Sequence, residues 1–413
     1  MHAIGDAVGD AVAVSEPRLA ASPEAAPTAA RFRLRRLVAR EFRNLERVDV
    51  SLPPDGVAIV GENGHGKTNL LEAIYYLQLF RSVRGARDQD LVRFGAAGFH
   101  LLAETGATTE QGHQIGVGFD RSARRKRVRR DGAEPARLSD ALGSVPSVIF
   151  SPGDVQLVAG SPSERRRYLD VVLALTSRRY LAALQSYRGA LLRRNAALRD
   201  VFRGGGGDAR AAVWEPALAE HGAVLVAERR AWVARQAPEF ARLCAAIGER
   251  GAARMRYVCS VPRAGDAESV SNLEGLRAVL AHALAVQRAH DVRRGLTHAG
   301  PHRDDLALTL AAEEGTPRDL RAFGSAGQQR TAAIALRMLE ARTLREHTGA
   351  SPLFLLDDPF AELDARRAHR ILELLADAGL GQVVLTVPRP ADVPPELTWL
   401  ERWQIRDGVV AGA

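Results

Sequence analysis

Residues 57–74, VAIVGENGHGKTNLLEAI, leave little freedom in what this chain can fold into. Val57-Ala58-Ile59-Val60 is short and β-branched enough to be a buried strand. It opens into Gly61-Glu62-Asn63-Gly64-His65-Gly66-Lys67-Thr68, which fits G-x-x-x-x-G-K-[ST], and Leu70, Leu71 and Ile74 follow at helical spacing. The glycines let the backbone turn its N–H groups inward, so that they cradle phosphates at a helix N-terminus. Lys67 is expected to reach the outer phosphate oxygens and Thr68 to offer a hydroxyl to Mg²⁺.

The chain has 413 residues, enough for two or three domains. No apolar run approaches a membrane span. Cys244 and Cys259 have no metal-ligand spacing, which fits a reducing cytoplasm. The net charge of +8 suggests an acidic partner such as nucleic acid. Arginine accounts for nearly all of the positive charge, since the only lysines are Lys67 and Lys126, and genome composition alone could produce that bias.

Residues 1–30 are Ala-, Pro- and acid-rich without periodicity and read as a disordered extension or an overlong gene start. Two strands are expected from Arg33 to Leu52, then strands at 99–105 and 113–119. Seven basic residues fall within 121–130, followed by Asp131-Gly132, a hairpin turn signal. This places Arg125, Lys126, Arg127 and Arg129 on an exposed hairpin as candidate phosphate contacts, or else as a merely solvated face. Apolar spacing predicts one long helix from Ser163 to about Phe202 and a second over 210–247, joined by Gly204-Gly205-Gly206-Gly207 into an antiparallel pair. The turn Gly300-Pro301-His302-Arg303-Asp304-Asp305 is dense in polar groups, but a lone loop histidine beside carboxylates reads as structural.

The last third returns to phosphate chemistry. Ser325-Ala326-Gly327-Gln328 opens a helix and offers a hydroxyl and backbone donors to an anion. Leu353-Phe354-Leu355-Leu356-Asp357-Asp358 is an apolar strand ending in two carboxylates, with Ala361-Glu362-Leu363-Asp364 after it. The strand-end Asp357 is placed to hold Mg²⁺ with Thr68, and Asp358 to orient or activate water.

Phosphate loop, Ser-x-Gly-Gln helix, paired aspartates and Glu-Leu-Asp loop, in that order, resemble the ATPase head of the ABC superfamily. The arms here are far shorter than in SMC-type chromosome organisers, and the helical insert is longer than in transporter ATPases. EFRNL, SPGDVQLVAGSPSERRRYLD, LLRRNAALR, GPHRDDL, GSAGQQR and LLDDPFAELD together resemble the RecF family of bacterial recombination mediators, over residues 33 to about 408. Gly153 departs from the family's usual acid. No histidine follows the last core strand, unlike transporter ATPases, which is compatible with slow hydrolysis.

The resemblance implies an α/β fold: an ABC-type P-loop ATPase head with an inserted, mostly helical second lobe. The expected division is an extension at 1–30, head parts at 31–162 and 296–413, and the lobe at 163–295. It also implies an ATP-dependent, cytoplasmic DNA-binding protein acting at single-strand gaps and adjoining duplex, in replication, repair and the SOS response. It would load the recombinase with RecO and RecR. ATP with Mg²⁺ would sit between two head-to-tail copies. Residues 61–68 of one copy would face Ser325, Gly327 and Gln328 of the other, and turnover would be slow.

Overall fold

The computed structural model describes residues 32–106, 112–261, 272–311, 315–360, 365–377, 379 and 381–412. The expected extension at 1–30 and the Glu-Leu-Asp loop at 361–364 lie outside the described residues.

Alternating apolar residues build an antiparallel hairpin from β1 (Arg33–Phe42) and β2 (Leu45–Ser51), closed by Arg43-Asn44 with Phe42 opposite Leu45. The next strand, β3 (Gly56–Val60), leaves this sheet. β4 (Gly98–Gly106), β5 (His113–Asp120) and β6 (Arg125–Arg130) complete the antiparallel order β2-β1-β4-β5-β6. Its inner face carries Leu37, Ala39, Leu101, Ala103, Ile115, Val117 and Val128, all buried.

The second sheet takes β3 together with β7 (Ser147–Phe150), β11 (Leu353–Asp357), β12 (Val383–Val387), β13 (Glu401–Arg406) and β14 (Val409–Ala411). Its order is β14-β13-β3-β12-β11-β7, parallel except for the terminal hairpin. Both faces are covered at β3, β12, β11 and β7, so these strands read as nearly unbroken apolar runs, whereas β13 alternates. Successive side chains point to opposite sides. Val57, Ile59, Leu353, Leu355 and Val384 pack with helix Lys67–Leu79 and the five-stranded sheet. Ala58, Phe354, Leu356, Val383 and Leu385 pack against helix Ala326–Thr348 and the inserted helices. Sequence patterning does not reveal β7, because four apolar residues have no measurable period.

The insert consists mainly of helices Pro162–Thr176, Arg178–Phe202, Glu215–Ile247 and Leu273–Arg294. The single helix expected over 163–202 is two: the chain breaks at Ser177, whose hydroxyl accepts the Tyr180 N–H at 3.1 Å and starts the second. β8 (Ala252–Val258), β9 (Asp305–Ala311) and β10 (Arg318–Asp319) form a small antiparallel sheet in the order β10-β9-β8. β9, expected within the C-terminal head part, thus pairs with a strand of the insert. Tyr168 donates to the Leu336 carbonyl at 2.6 Å and Trp232 to Thr343 Oγ1 at 3.1 Å, joining the insert to the head through one core. No helix among the described residues is long and apolar enough to cross a membrane.

The turn at 300–305 is fastened to the insert. Gly300 has φ +127°, and a Cβ there would meet the Tyr187 hydroxyl at 2.5 Å, so only glycine fits. Asp304 accepts from Tyr257, from Ser260 N–H and from Ser260 Oγ, while Asp305 pairs with Arg165 at 2.8 Å. Behind them, fully buried Arg194 reaches Asp291 at 2.7 Å and Glu215 at 2.9 Å, and Asn195 Oδ1 accepts both Thr297 N–H and Oγ1. His302 Nε2 bonds the Thr297 carbonyl at 3.0 Å and its Nδ1 meets the Tyr187 hydroxyl at 2.7 Å, a neutral tautomer held on both sides.

Burial pushes the His302 pKa down to about 4. An unfolded histidine takes up its proton near the ordinary value of about 6.5, so protonation favours the unfolded chain as pH falls from there towards 4. Stability is therefore expected to fall by about 2 kcal/mol between about pH 7 and pH 5 on this account. Urea unfolding of wild type and His302→Gln at both pH values checks it; the variant should lose distinctly less.

Candidate functional site

The chain leaves β3 at Val60, and Gly61 N–H donates to the Val387 carbonyl of β12 at 3.2 Å. Gly66, with φ +106°, caps the helix that begins at Lys67. A Cβ on Gly66 would lie 2.9 Å from the Asn44 amide, so both the turn and the close approach require glycine. Glu62, Asn63 and Gly64 stand exposed at the loop's crest. Lys67 folds across the loop, donating to the Gly61 and Glu62 carbonyls, the latter at 2.8 Å. Burial lowers its pKa, against the opposing pull of Asp357, Asp358 and Glu62.

Thr68 Oγ1 donates to Asp357 Oδ1 at 3.0 Å, and Thr386 Oγ1 donates to the same oxygen at 2.8 Å. A hydroxyl and a carboxylate side by side are the hard oxygen donors that suit Mg²⁺. Asp358 departs from the strand with φ +45°, its N–H held by the Thr386 carbonyl at 2.9 Å. Its carboxyl pKa is raised, first by burial and then by the charges of Asp357 and Asp392. Two adjacent acids thus meet different surroundings: Asp357 is bound by hydroxyl donors, and Asp358 is made more basic.

Two clamps that motif reading missed steady the loop. Asn44, in the β1–β2 turn, reaches the Gly64 carbonyl at 3.4 Å and accepts from Asn69 at 2.8 Å. On the other side, the β13–β14 turn grips His65: Asp407 N–H donates to its ring Nδ1 at 3.0 Å and Gly408 N–H to its carbonyl at 2.9 Å. EFRNL exposed Asn44 as part of a pattern, but its role needs a contact made across the fold.

Lys67, Thr68, Asp357 and Asp358 therefore come together. Ser325 caps helix Ala326–Thr348 in a reciprocal box, its Oγ accepting Gln328 N–H at 3.2 Å while Gln328 Oε1 accepts Ser325 N–H at 2.9 Å. Ser325 is exposed. The cleft of about 710 Å³ beside it is lined by Glu249, Arg250, Phe323, Gly324, Gln328 and Arg367 among others, and by no residue of the phosphate loop.

The basic segment differs from expectation in two ways. The β5–β6 turn is residues 121–124, organised by the Asp120 carboxylate, which accepts Ser122 Oγ at 2.7 Å and Ala123 N–H at 2.9 Å. Asp131-Gly132 instead ends β6, where Arg130 bridges to Ala133. Lys126 is a correction to the candidate DNA contacts. It points inward, paired with Asp88 at 2.8 Å and lying 5.3 Å from the Tyr76 ring centroid. Pleating sends Arg125, Arg127 and Arg129 to the opposite, exposed face.

Residues 33–390 match the family model described as RecF/RecN/SMC N terminal domain. The DNA replication and repair protein RecF of Chloroflexus aggregans is 37% identical over 402 residues, covering 90% of this chain and 97% of its own. That of Frankia alni is 37% identical over 373 residues, covering 87% and 94%. A solved structure of the recombination mediator protein RecF-ATP in the RecFOR pathway superposes with TM-score 0.82 at 28% identity, over 93% of this chain and 98% of that one. The Smc head domain derived from Pyrococcus furiosus shares the fold, with TM-score 0.52 at 17% identity over 92% and 95%.

Asn44→Ala removes two side-chain hydrogen bonds behind the phosphate loop without opening the core. It is expected to weaken ATP binding by about tenfold while shifting Tm by only a few degrees, a scale of about 1–2 kcal/mol. Titration calorimetry with ATP, beside a thermal melt, checks both.

Proposed function

The chain belongs to the RecF family of DNA replication and repair proteins, and on that basis we propose that it is an ATP-switched DNA-binding protein of recombinational repair. It acts in the cytoplasm at single-strand gaps and the adjoining duplex, supports replication and the SOS response, and works with RecO and RecR to load the recombinase. The observation that carries the switch is the Thr68–Asp357 hydrogen bond, between residues 289 apart in sequence, beside the Lys67 ammonium.

In this reading the backbone of 61–68 and the Lys67 ammonium bind the ATP phosphates, and the Thr68 hydroxyl and Asp357 carboxylate hold Mg²⁺. Magnesium bound there supplies positive charge against the phosphate oxygens. Asp358 takes the proton of the attacking water, a role its raised basicity supports. An aspartate reaches roughly 1.5 Å less far than the glutamate usual in ABC heads, so water is positioned loosely and turnover is slow. Ser325 is exposed and Gln328 lines a cleft that no residue of the phosphate loop reaches, which fits contact with a nucleotide held by a second copy rather than by the same chain. ATP then joins two heads and gates their grip on DNA.

Asp358→Asn should bind ATP with near-native affinity, hydrolyse it at least about 100-fold more slowly and accumulate as the ATP-bound dimer. Single-turnover kinetics and sedimentation check this, and native turnover would assign the base elsewhere. Ser325→Arg blocks the exposed helix start, so the monomer should keep ATP binding but lose ATP-dependent dimerisation. Sedimentation with ATP decides it; a variant that dimerised like wild type would exclude the role in trans.

A further inference from the structure

Strand register on the five-stranded sheet lines up residues that are far apart in sequence. One row across the outer face runs Arg47 (β2), Arg40 (β1), His100 (β4), Gly118 (β5), Arg127 (β6). The next runs Asp49, Val38, Leu102, Gly116, Arg129. Gly116 and Gly118 on β5 therefore form, beside His100 and Leu102 on β4, a low strip, the floor between two arginine-bearing walls; a Cβ on Gly116 would already lie 3.6 Å from Leu102 and 3.8 Å from His100. β1 and β6 lie three strand spacings apart, about 14 Å. The floor is the bottom of a cleft of about 500 Å³, lined in part by Arg40, His100, Gly118, Asp120, Arg125 and Arg127.

The carboxylates on this face are already engaged. Arg36 takes Asp49 at 2.7 Å and Glu104 at 3.1 Å, Arg93 takes Glu41 at 3.4 Å, and Asp120 serves its own turn. Arg40, Arg47, Arg125, Arg127 and Arg129 are all exposed, and none makes a hydrogen bond or ion pair among the described residues. Five exposed guanidinium groups flank this low strip, Arg40 and Arg47 within electrostatic reach of Asp49 and Arg127 of Asp120, and together they make it a net positive trough. The aromatic residues of these strands, Phe42, Phe99 and Phe119, are buried in the core on the other side, so the trough offers no phenylalanine, tyrosine or tryptophan ring for bases to stack on.

We propose that the outer face of this sheet is a phosphodiester groove, with one sugar-phosphate backbone lying along Gly116 and Gly118 between Arg40 and Arg47 on one wall and Arg125, Arg127 and Arg129 on the other. This rests on the DNA-binding reading above and gives that binding a location, two walls and a floor. Contacts are to phosphate, so recognition is blind to sequence and steeply salt-dependent.

His100 gives the groove a proton linkage. Arg40 faces it from β1, and Arg127 and Arg129 from β6; β5 presents Gly116 and Gly118, with Gln114 and Asp120 beyond them. Partial withdrawal from water, followed by Arg40 and Arg129, holds its imidazole below the ordinary value. A phosphate on the floor offsets those charges and favours the imidazolium. Binding therefore takes up a proton, and affinity rises as pH falls through the ordinary histidine value of about 6.5.

The test is fluorescence anisotropy of the full chain with ATP on gapped DNA, over a salt series. Gly118→Leu raises the floor without changing charge; a Cβ there meets its nearest neighbours at 3.9 Å, so the sheet accommodates it. It should weaken binding at least about tenfold. Arg40→Ala with Arg47→Ala should flatten the salt slope by about 2, and the triple alanine variant at Arg125, Arg127 and Arg129 by about 2–3. His100→Gln should abolish proton uptake, read by calorimetry in buffers of different ionisation enthalpy. ATP binding and Tm should stay native in all four. If Gly118→Leu and the Arg40/Arg47 pair bind like wild type, the groove is wrong while DNA binding stands. If wild type with ATP binds no DNA, the functional reading fails and the groove with it. If polyglutamate binds as tightly and is weakened equally, the face serves an acidic protein and the proposal is overturned.

Discussion

Thr68 and Asp357 meet because β3 and β11 flank β12 in one parallel sheet. The pairings Ile59↔Thr386 and Asp357↔Thr386 place the end of the phosphate-loop strand, the central threonine and the acid in a single row. A one-residue slip in either pairing would turn Asp357 towards the opposite face and bury its charge in a hydrocarbon core. The cores packed against both faces of all three strands oppose that slip. The accuracy of the site is thus a property of the core beneath it.

Arginine has two distinct roles in this protein. Inside, Arg194, Arg229 and Arg337 are buried and paired: with Asp291 and Glu215, with Asp170, and with Asp154 and Glu340. Their planar forks tie helices of the insert to one another and helix Ala326–Thr348 to Asp154 of the N-terminal head part, a geometry that lysine cannot reproduce. Each of these ion pairs is costly to desolvate and more costly to break, so they favour one arrangement of the lobes over others more than they add net stability. On the outer sheet face Arg36 holds Asp49 and Glu104, while Arg40, Arg47, Arg125, Arg127 and Arg129 make no hydrogen bond or ion pair among the described residues. Net charge alone cannot separate the two roles, which is why a basic composition was a weak guide to DNA binding here.

Strong local patterns made most of the fold legible. The phosphate loop, the strands at β1–β5, the arm helices and the capping serine at 325 each rest on contacts within a few residues or on a period of 2 or 3.6. Where reading failed, the deciding contact was distant. β7 is four residues held by Leu353–Asp357 across two hundred positions. Ser177 breaks a helix that apolar spacing carried straight through. Asp131-Gly132 is a turn, but the turn of β6 onto Ala133 rather than of the basic hairpin.

The sequence by itself determined the residue types at the phosphate loop, the two strand-end acids and the order of the motifs, because those depend on local geometry and on covalent spacing. Tertiary structure decided which side each charge faces and what surrounds it. Lys126 carries the same charge as its arginine neighbours in sequence, yet the pleat turns it onto Asp88 and Tyr76. Asp357 and Asp358 are adjacent and chemically alike, yet only one meets the hydroxyls of Thr68 and Thr386. Side-chain direction follows from strand register, and register is set by packing against residues hundreds of positions away, where no local pattern reaches.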